Sequence, residues 1–175
     1  LIAHEFVAAS SESLDRLESE LVVLPFFSDE RPLRGAAGLA DWRLCGALSR
    51  KMMAGYVKGR FGEKALIVAP TKLRIEALML FGLGPAGAFD ANVAREACRL
   101  MAEAIREARV SSVALALPGR SLQLLPSLQA MQLWLETEVH ADGLDEISII
   151  EAPEEHRGLT SVVDGLRRQA ESPLG

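Results

Sequence analysis

"FGLGPAGAFD" (residues 81–90) decides how the fold is read. An apolar run, Ala77–Phe81, leads into it, and a helical pattern starting near Asp90 leads out. Between them Gly82, Gly84 and Gly87 spell G-x-G-x-x-G, the letters of a dinucleotide loop. The spacing argues otherwise. In that loop the last glycine sits inside the first helical turn, so that helix and strand pack closely. Here Gly87 precedes the expected cap Asp90 by three residues, and Pro85 stiffens the loop. An acidic residue is also required ~20 positions on, at the end of the next strand. That strand ends at Leu117 and is followed by Pro118, Gly119 and Arg120. The stretch therefore reads as a strand-to-helix turn.

The same alternation runs outward from it. Short, almost continuously apolar runs at 5–9, 20–26, 64–69, 76–83, 112–117 and 146–150 have the length and character of strands covered on both faces. Pro25 and Pro118 stand at the ends of their runs, where a missing N–H is harmless. Helical period appears at 38–56, 90–108, 125–140 and 153–170. The first places Leu39, Trp42, Cys45, Met52, Met53 and Tyr56 on its apolar side. The second places Val93, Ala97, Leu100, Met101, Ala104 and Ala108 there, with Asp90 as N-cap. The third carries Leu128, Met131, Leu135 and Val139, with Pro126 in its first turn. The fourth opens at Pro153 and carries Leu159, Val162, Val163, Leu166 and Ala170. Residues 10–19 fit either a short helix or a loop. Strands interleaved with helices predict an α/β protein: a three-layer α/β/α sandwich around a mixed, largely parallel sheet. No repeat or linker divides residues 1–175, so a single domain is expected.

Bulk properties limit function. A net charge of −5 disfavours a general nucleic-acid or membrane-surface role, since either needs a basic field. The longest apolar runs are about seven residues, short of the ~20 that a membrane span takes. No secretory leader is recognised. The numbering starts at Leu1, so a short N-terminal piece is expected to be missing from it. Two cysteines, Cys45 and Cys98, fall in helical patterns and read as reduced, half-buried thiols of a cytoplasmic protein.

Two loops could hold an anion. "RPLRGAAGLADW" (31–42) sets Arg34, Gly35 and Gly38 before a helix, where backbone N–H groups and a guanidinium can converge. "LPGRS" (117–121) offers Gly119 and Arg120 after another strand. Both belong at carboxyl ends of the sheet, where α/β folds bind ligands. Each also reads as a plain connecting loop. Catalytic patterns are missing. His4, His140 and His156 lack metal-ligand spacing, and the last two read as exposed helix-end residues. Glu154 and Glu155 read as solubility charges. No G-x-S-x-G, P-loop or H-E-x-x-H occurs. Neither a cofactor nor a metal is expected.

"LPFFSDERPLRGAAGLADWRLCGALSRKM" (24–52), "EKALIVAP" (63–70) and "ALMLFGLG" (77–84), in that order, resemble the N-terminal domain of the leucyl (cytosol) aminopeptidase family. The agreement in element order extends from about residue 4 to 170. The resemblance implies a macro-domain-like fold that serves assembly and regulation, with homo-oligomers or an aminopeptidase catalytic domain as partners. In that family the two-metal site lies in the C-terminal domain, and its hallmark "NTDAEGR" is absent here. Three readings follow: a non-catalytic regulatory or assembly domain; a macro-domain-like binder of ADP-ribose or a related small anion; or the N-terminal part of a full-length metallo-aminopeptidase. For the second, the resemblance implies Asp29 or Glu30 near an adenine and the 34–38 loop near a phosphate. The segment after 112–117 departs from the pattern, with one glycine where a glycine-rich run is implied.

Overall fold

A computed structural model describes residues 2–68, 70 and 72–171. Strands are β1 (Ala3–Ala8), β2 (Ser19–Phe26), β3 (Lys64–Val68), β4 (Ile75–Gly82), β5 (Ser112–Leu115) and β6 (Glu146–Glu151). Helices are α1 (Ser11–Arg16), α2 (Gly35–Arg43), α3 (Ala47–Met53), α4 (Ala91–Ala108), α5 (Ser127–Leu135) and α6 (His156–Glu171). The strand order is β1-β6-β5-β2-β4-β3; only β3 runs antiparallel to its neighbour. One face is covered by α4, α5 and α6 over Val23, Phe81, Leu115 and Ile149. The other is covered by α1, α2 and α3 over Val22, Leu24, Leu80 and Ile150. This is a three-layer α/β/α sandwich. Burial on both faces explains the unbroken apolar runs in the central strands; each fully buried Leu, Ile or Phe contributes ~1.5–3 kcal/mol.

Pro25 shows how the sheet opens where the site lies. Val23 accepts a bond from Ala116 on the β5 side. Two residues on, Pro25 faces that side again, but β5 has already ended at Leu115. The missing proline N–H therefore leaves no ladder bond unmade.

All four helical patterns differ in part from the sequence expectation. The 38–56 pattern is not one helix. Cys45 (φ 55°) and Gly46 (φ 78°) turn the chain, and Asp41 Oδ1 accepts from Leu48 N (2.9 Å) and Ser49 N (3.1 Å) to start α3. As a result Trp42, Cys45, Met53 and Tyr56, expected on an apolar face, are exposed; Met52 is buried as expected. Helix α4 keeps its cap, Asp90 accepting from Val93 N. Its buried stripe is rotated toward Ala94, Cys98 and Ile105, leaving Val93 and Leu100 half-buried and Ala108 exposed. Helix α5 stops at Leu135 rather than 140, because Thr137 bonds back to Trp134 O and Glu138 takes φ 43°. Leu128 and Leu166 are exposed instead of buried. Residues 11–16 resolve to a short helix capped by Ser10. Ala69, the side chain of Ala170 and residues 172–175, for which strand, stripe and tail readings were made, lie outside the described residues.

Candidate functional site

Parallel strands bring their carboxyl ends to one edge of the sheet, and a cleft of about 270 Å³ lies there. Ala9, Pro25, Ala116 and Ile150 form its floor at the ends of β1, β2, β5 and β6. The first turn of α2, Gly35 to Ala37, forms one wall; no side chain caps this helix. Arg120, Ser121 and Gln123 also line it, together with the carboxylates Glu151, Glu154 and Glu155.

Charge in the cleft is mostly satisfied from within. Arg120 Nε lies 2.8 Å from Glu151 Oε2 and Nη2 3.2 Å from Oε1, while Nη1 donates to Leu125 O. The two side chains are 14% and 7% exposed, so water screens the pair little. Donating to the Glu151 carboxylate pushes the Arg120 guanidinium further up, opposed by partial burial. Ser127 Oγ donates to Glu155 Oε2 at 2.5 Å, and the His156 ring nitrogen Nε2 lies 2.9 Å from Glu151 O. One guanidinium thus faces three carboxylates. Behind the α2 wall Glu30 is buried; its Oε2 accepts from Phe27 N at 3.3 Å, and Oε1 has no partner among the described residues. Burial raises the pKa of this carboxyl, offset in part by Ser121 and by Arg34.

Among the residues expected to hold an anion, Gly35 and Arg120 share the cleft. Arg34 is exposed and outside its lining. Gly38 faces away: an added Cβ there would lie 2.5 Å from Leu33 O. Gly119 takes φ +84° under the Phe89 ring, which a Cβ would strike at 2.5 Å; it is there to let the turn pack. Asp29 accepts from Ala86 N, and so is engaged with the glycine turn rather than the cleft. In that turn Gly82 lets the Gly59–Arg60 backbone approach, since a Cβ would lie 2.1 Å from Arg60 O. The Asp90 carboxylate already occupies the α4 N-terminus, where a phosphate would have to sit. Sequence reasoning missed Glu151 and underread Glu155. The available signal was an acid closing the apolar run "EISII".

The histidines and cysteines stay apart. His4 is pinned between Ile2 O (3.0 Å, from Nδ1) and Trp134 Nε1 (3.1 Å, to Nε2). Burial lowers its pKa to about 4. His140 is exposed, and His156 is half-buried at the start of α6. Cys98 is fully buried, its thiol pushed up to about 12. Cys45 is exposed, its thiol lowered chiefly by Lys72, whose Nζ lies 3.0 Å from Sγ. No three His, Cys, Asp or Glu side chains gather as a metal-holding group among the described residues. No described helix is long and apolar enough to cross a membrane.

The family model described as "Cytosol aminopeptidase family, N-terminal domain" matches residues 23–132. The chain belongs to this family. A probable cytosol aminopeptidase of Cyanothece sp. is 26% identical over 123 residues, 70% of the chain. The chain spans a quarter of that relative's length (25%). A tomato leucine aminopeptidase mutant superposes with TM-score 0.59 at 14% identity over 91% of this chain and 35% of its own. A Trypanosoma brucei macrodomain solved in complex with ADP-ribose superposes with TM-score 0.70 at 15% identity, over 93% of this chain and 69% of its own. At these identities both likenesses concern fold. This aminopeptidase N-terminal domain is therefore macro-domain-like, as the sequence resemblance implied.

Proposed function

We propose that this chain is a non-catalytic assembly and regulatory domain that works alongside an aminopeptidase catalytic domain, and that residues 1–175 form one domain. The observation that carries the reading is the extent of the match: the N-terminal domain of the family aligns, from within β2 to within α5. The cleft agrees with it. Its guanidinium, Arg120, is held by Glu151 rather than free to engage a substrate. Incubation with leucine p-nitroanilide and Zn²⁺ or Mn²⁺ tests the non-catalytic part. The expected result is hydrolysis no faster than the metal-only control; turnover that rises with protein concentration would sink it.

One observation favours a second reading, a site for ADP-ribose or a related nucleotide. The uncapped first turn of α2 presents Gly35, Ala36 and Ala37 to the cleft, beside Arg120. Against a diphosphate stand the carboxylates Glu151, Glu154 and Glu155 in the same lining. Calorimetry with ADP-ribose separates the readings: no heat and no thermal shift at millimolar ligand is expected, and saturable binding would favour the nucleotide site. As a piece of a longer metallo-aminopeptidase, the chain would leave the metals to the remainder.

A further inference from the structure

Strand β3 is an outer edge of the sheet, paired with β4 alone. The register shows which of its backbone groups are left over. Glu63 O accepts from Gly82 N at 2.8 Å, one step before the pair Lys64–Phe81. Bonded and unbonded pairs alternate along an antiparallel ladder. Ala65 and Ile67 therefore turn their N–H and C=O groups to β4, and Lys64, Leu66 and Val68 turn theirs outward. Among the described residues no backbone group meets them there. An open edge of this kind recruits further strands, and natural sheets guard it with charge, proline or a cover. Here the guard is thin: β3 carries one charge, Lys64, and no proline, and Leu66 and Val68 are 56% and 71% exposed. At the other edge the exposed side chains of β1 are only Ala3 and Glu5.

The same three residues put their side chains on the α4 face of the sheet, where Lys64 reaches Glu107 of that helix. Beside them lies a groove of about 480 Å³, with Leu66, Val68 and Met79 on the strand side and Ala104 and Ala108 on the helix side. Its rim is acidic, formed by Glu20, Glu76 and Glu107. The Lys64–Glu107 pair spans 3.6 Å between largely exposed groups and holds Glu107 only weakly. Glu20 accepts from Ser111 N and Oγ, which keeps its carboxyl below the usual range and ionised. Neither Glu20 nor Glu76 has a cation partner among the described residues.

We propose that β3 and α4 form a docking groove for an extended, basic-flanked peptide segment of another protein, which adds to the sheet as a further strand. Main-chain bonds to Lys64, Leu66 and Val68 hold it, and every second side chain enters the groove. The apolar floor takes aliphatic residues at the centre of the segment. The acidic rim takes Lys or Arg at its ends, which orients the encounter and selects the partner. A β3 edge paired with the same edge of a second copy would instead set one acidic rim against another. This goes beyond the assembly reading and does not depend on it.

The probe is the end-blocked peptide Lys-Thr-Val-Thr-Val-Thr-Lys, one face of which reads Lys, Val, Val, Lys. Amide hydrogen exchange followed by NMR reads the contact residue by residue. In the protein alone the amides of Leu66 and Val68 should exchange freely, while those of Ala65 and Ile67, bonded to β4, should be slow. With saturating peptide, Leu66 and Val68 should slow roughly tenfold or more. The double variant Glu76→Lys with Glu107→Lys changes two exposed side chains, so it should keep the fold, checked by circular dichroism and Tm. By fluorescence anisotropy it should bind the Lys-flanked peptide roughly tenfold more weakly or worse, and bind the Glu-flanked peptide Glu-Thr-Val-Thr-Val-Thr-Glu instead. Exchange at Leu66 and Val68 unchanged by millimolar peptide would overturn the proposal, whatever the variant does. Equal binding of the two peptides by the wild type would overturn it too. Leu66 and Val68 already protected without peptide, in a species heavier than the monomer by light scattering, would give the edge to a second copy and overturn it as well.

Discussion

Arg120 and Glu151 meet across the cleft from positions 31 residues apart, both screened from water. Removing one partner of such a pair strands the other charge. Arg120→Ala should therefore cost about 3–5 kcal/mol of stability by urea unfolding, whereas replacing both residues with apolar ones of similar size should cost far less. His4 gives a pH signature. Its folded pKa, about 4, lies below the ordinary 6.5. Between those values the unfolded chain binds the proton and the folded one does not. The stabilisation is complete above pH 6.5 and drains away as pH falls toward 4. Partial exposure discounts the amount to about 1–3 kcal/mol. The Arg167 charge works in the same direction, and the Trp134 N–H needs the neutral ring as acceptor. His4→Gln keeps an acceptor without the titration, so its unfolding midpoint should stay flat over that pH range where the wild type declines. Neither pair could be read from the sequence. A carboxylate after "EISII" and a guanidinium in "LPGRS" are each ordinary at a loop, and only the parallel register of β5 and β6 sets them face to face.

At the scale of elements, legibility followed the strength of the local signal. Helix α4 was plain because Asp90 caps it and its period holds for five turns, yet its buried stripe was misplaced. Alanines on every side blur the face, and Cys98 and Ile105 take positions credited to Leu100 and Ala108. The region 38–56 went the other way. Apolar residues at helical spacing cannot distinguish one helix from two. The distinction rests on Gly46 in the left-handed region and on Asp41 reaching seven residues forward to Leu48. Asp41 therefore acts as the cap of α3 from within α2. Asp41→Ala should lower stability by about 1–2 kcal/mol in thermal unfolding, with Asp41→Asn losing less. The four inner strands, β2, β4, β5 and β6, were legible because burial on both faces makes them almost continuously apolar. In β3 alternate residues are exposed, but its composition still marked it as a strand.

For the whole molecule, the alternation of strands and helices foretold the sandwich, and the ordered segments at 24–52, 63–70 and 77–84 foretold the family. What could not be foretold is which surfaces stay uncovered. That depends on where α4 ends relative to β3 and on the turn at Cys45–Gly46, both consequences of packing rather than of local pattern. The proposed assembly role makes association the expected behaviour of the chain in solution. The most direct test of this account is the molar mass of the wild-type chain by light scattering across a concentration series at low salt. The account predicts a mass that climbs above the monomer as concentration rises. A monomer mass at every concentration would contradict it.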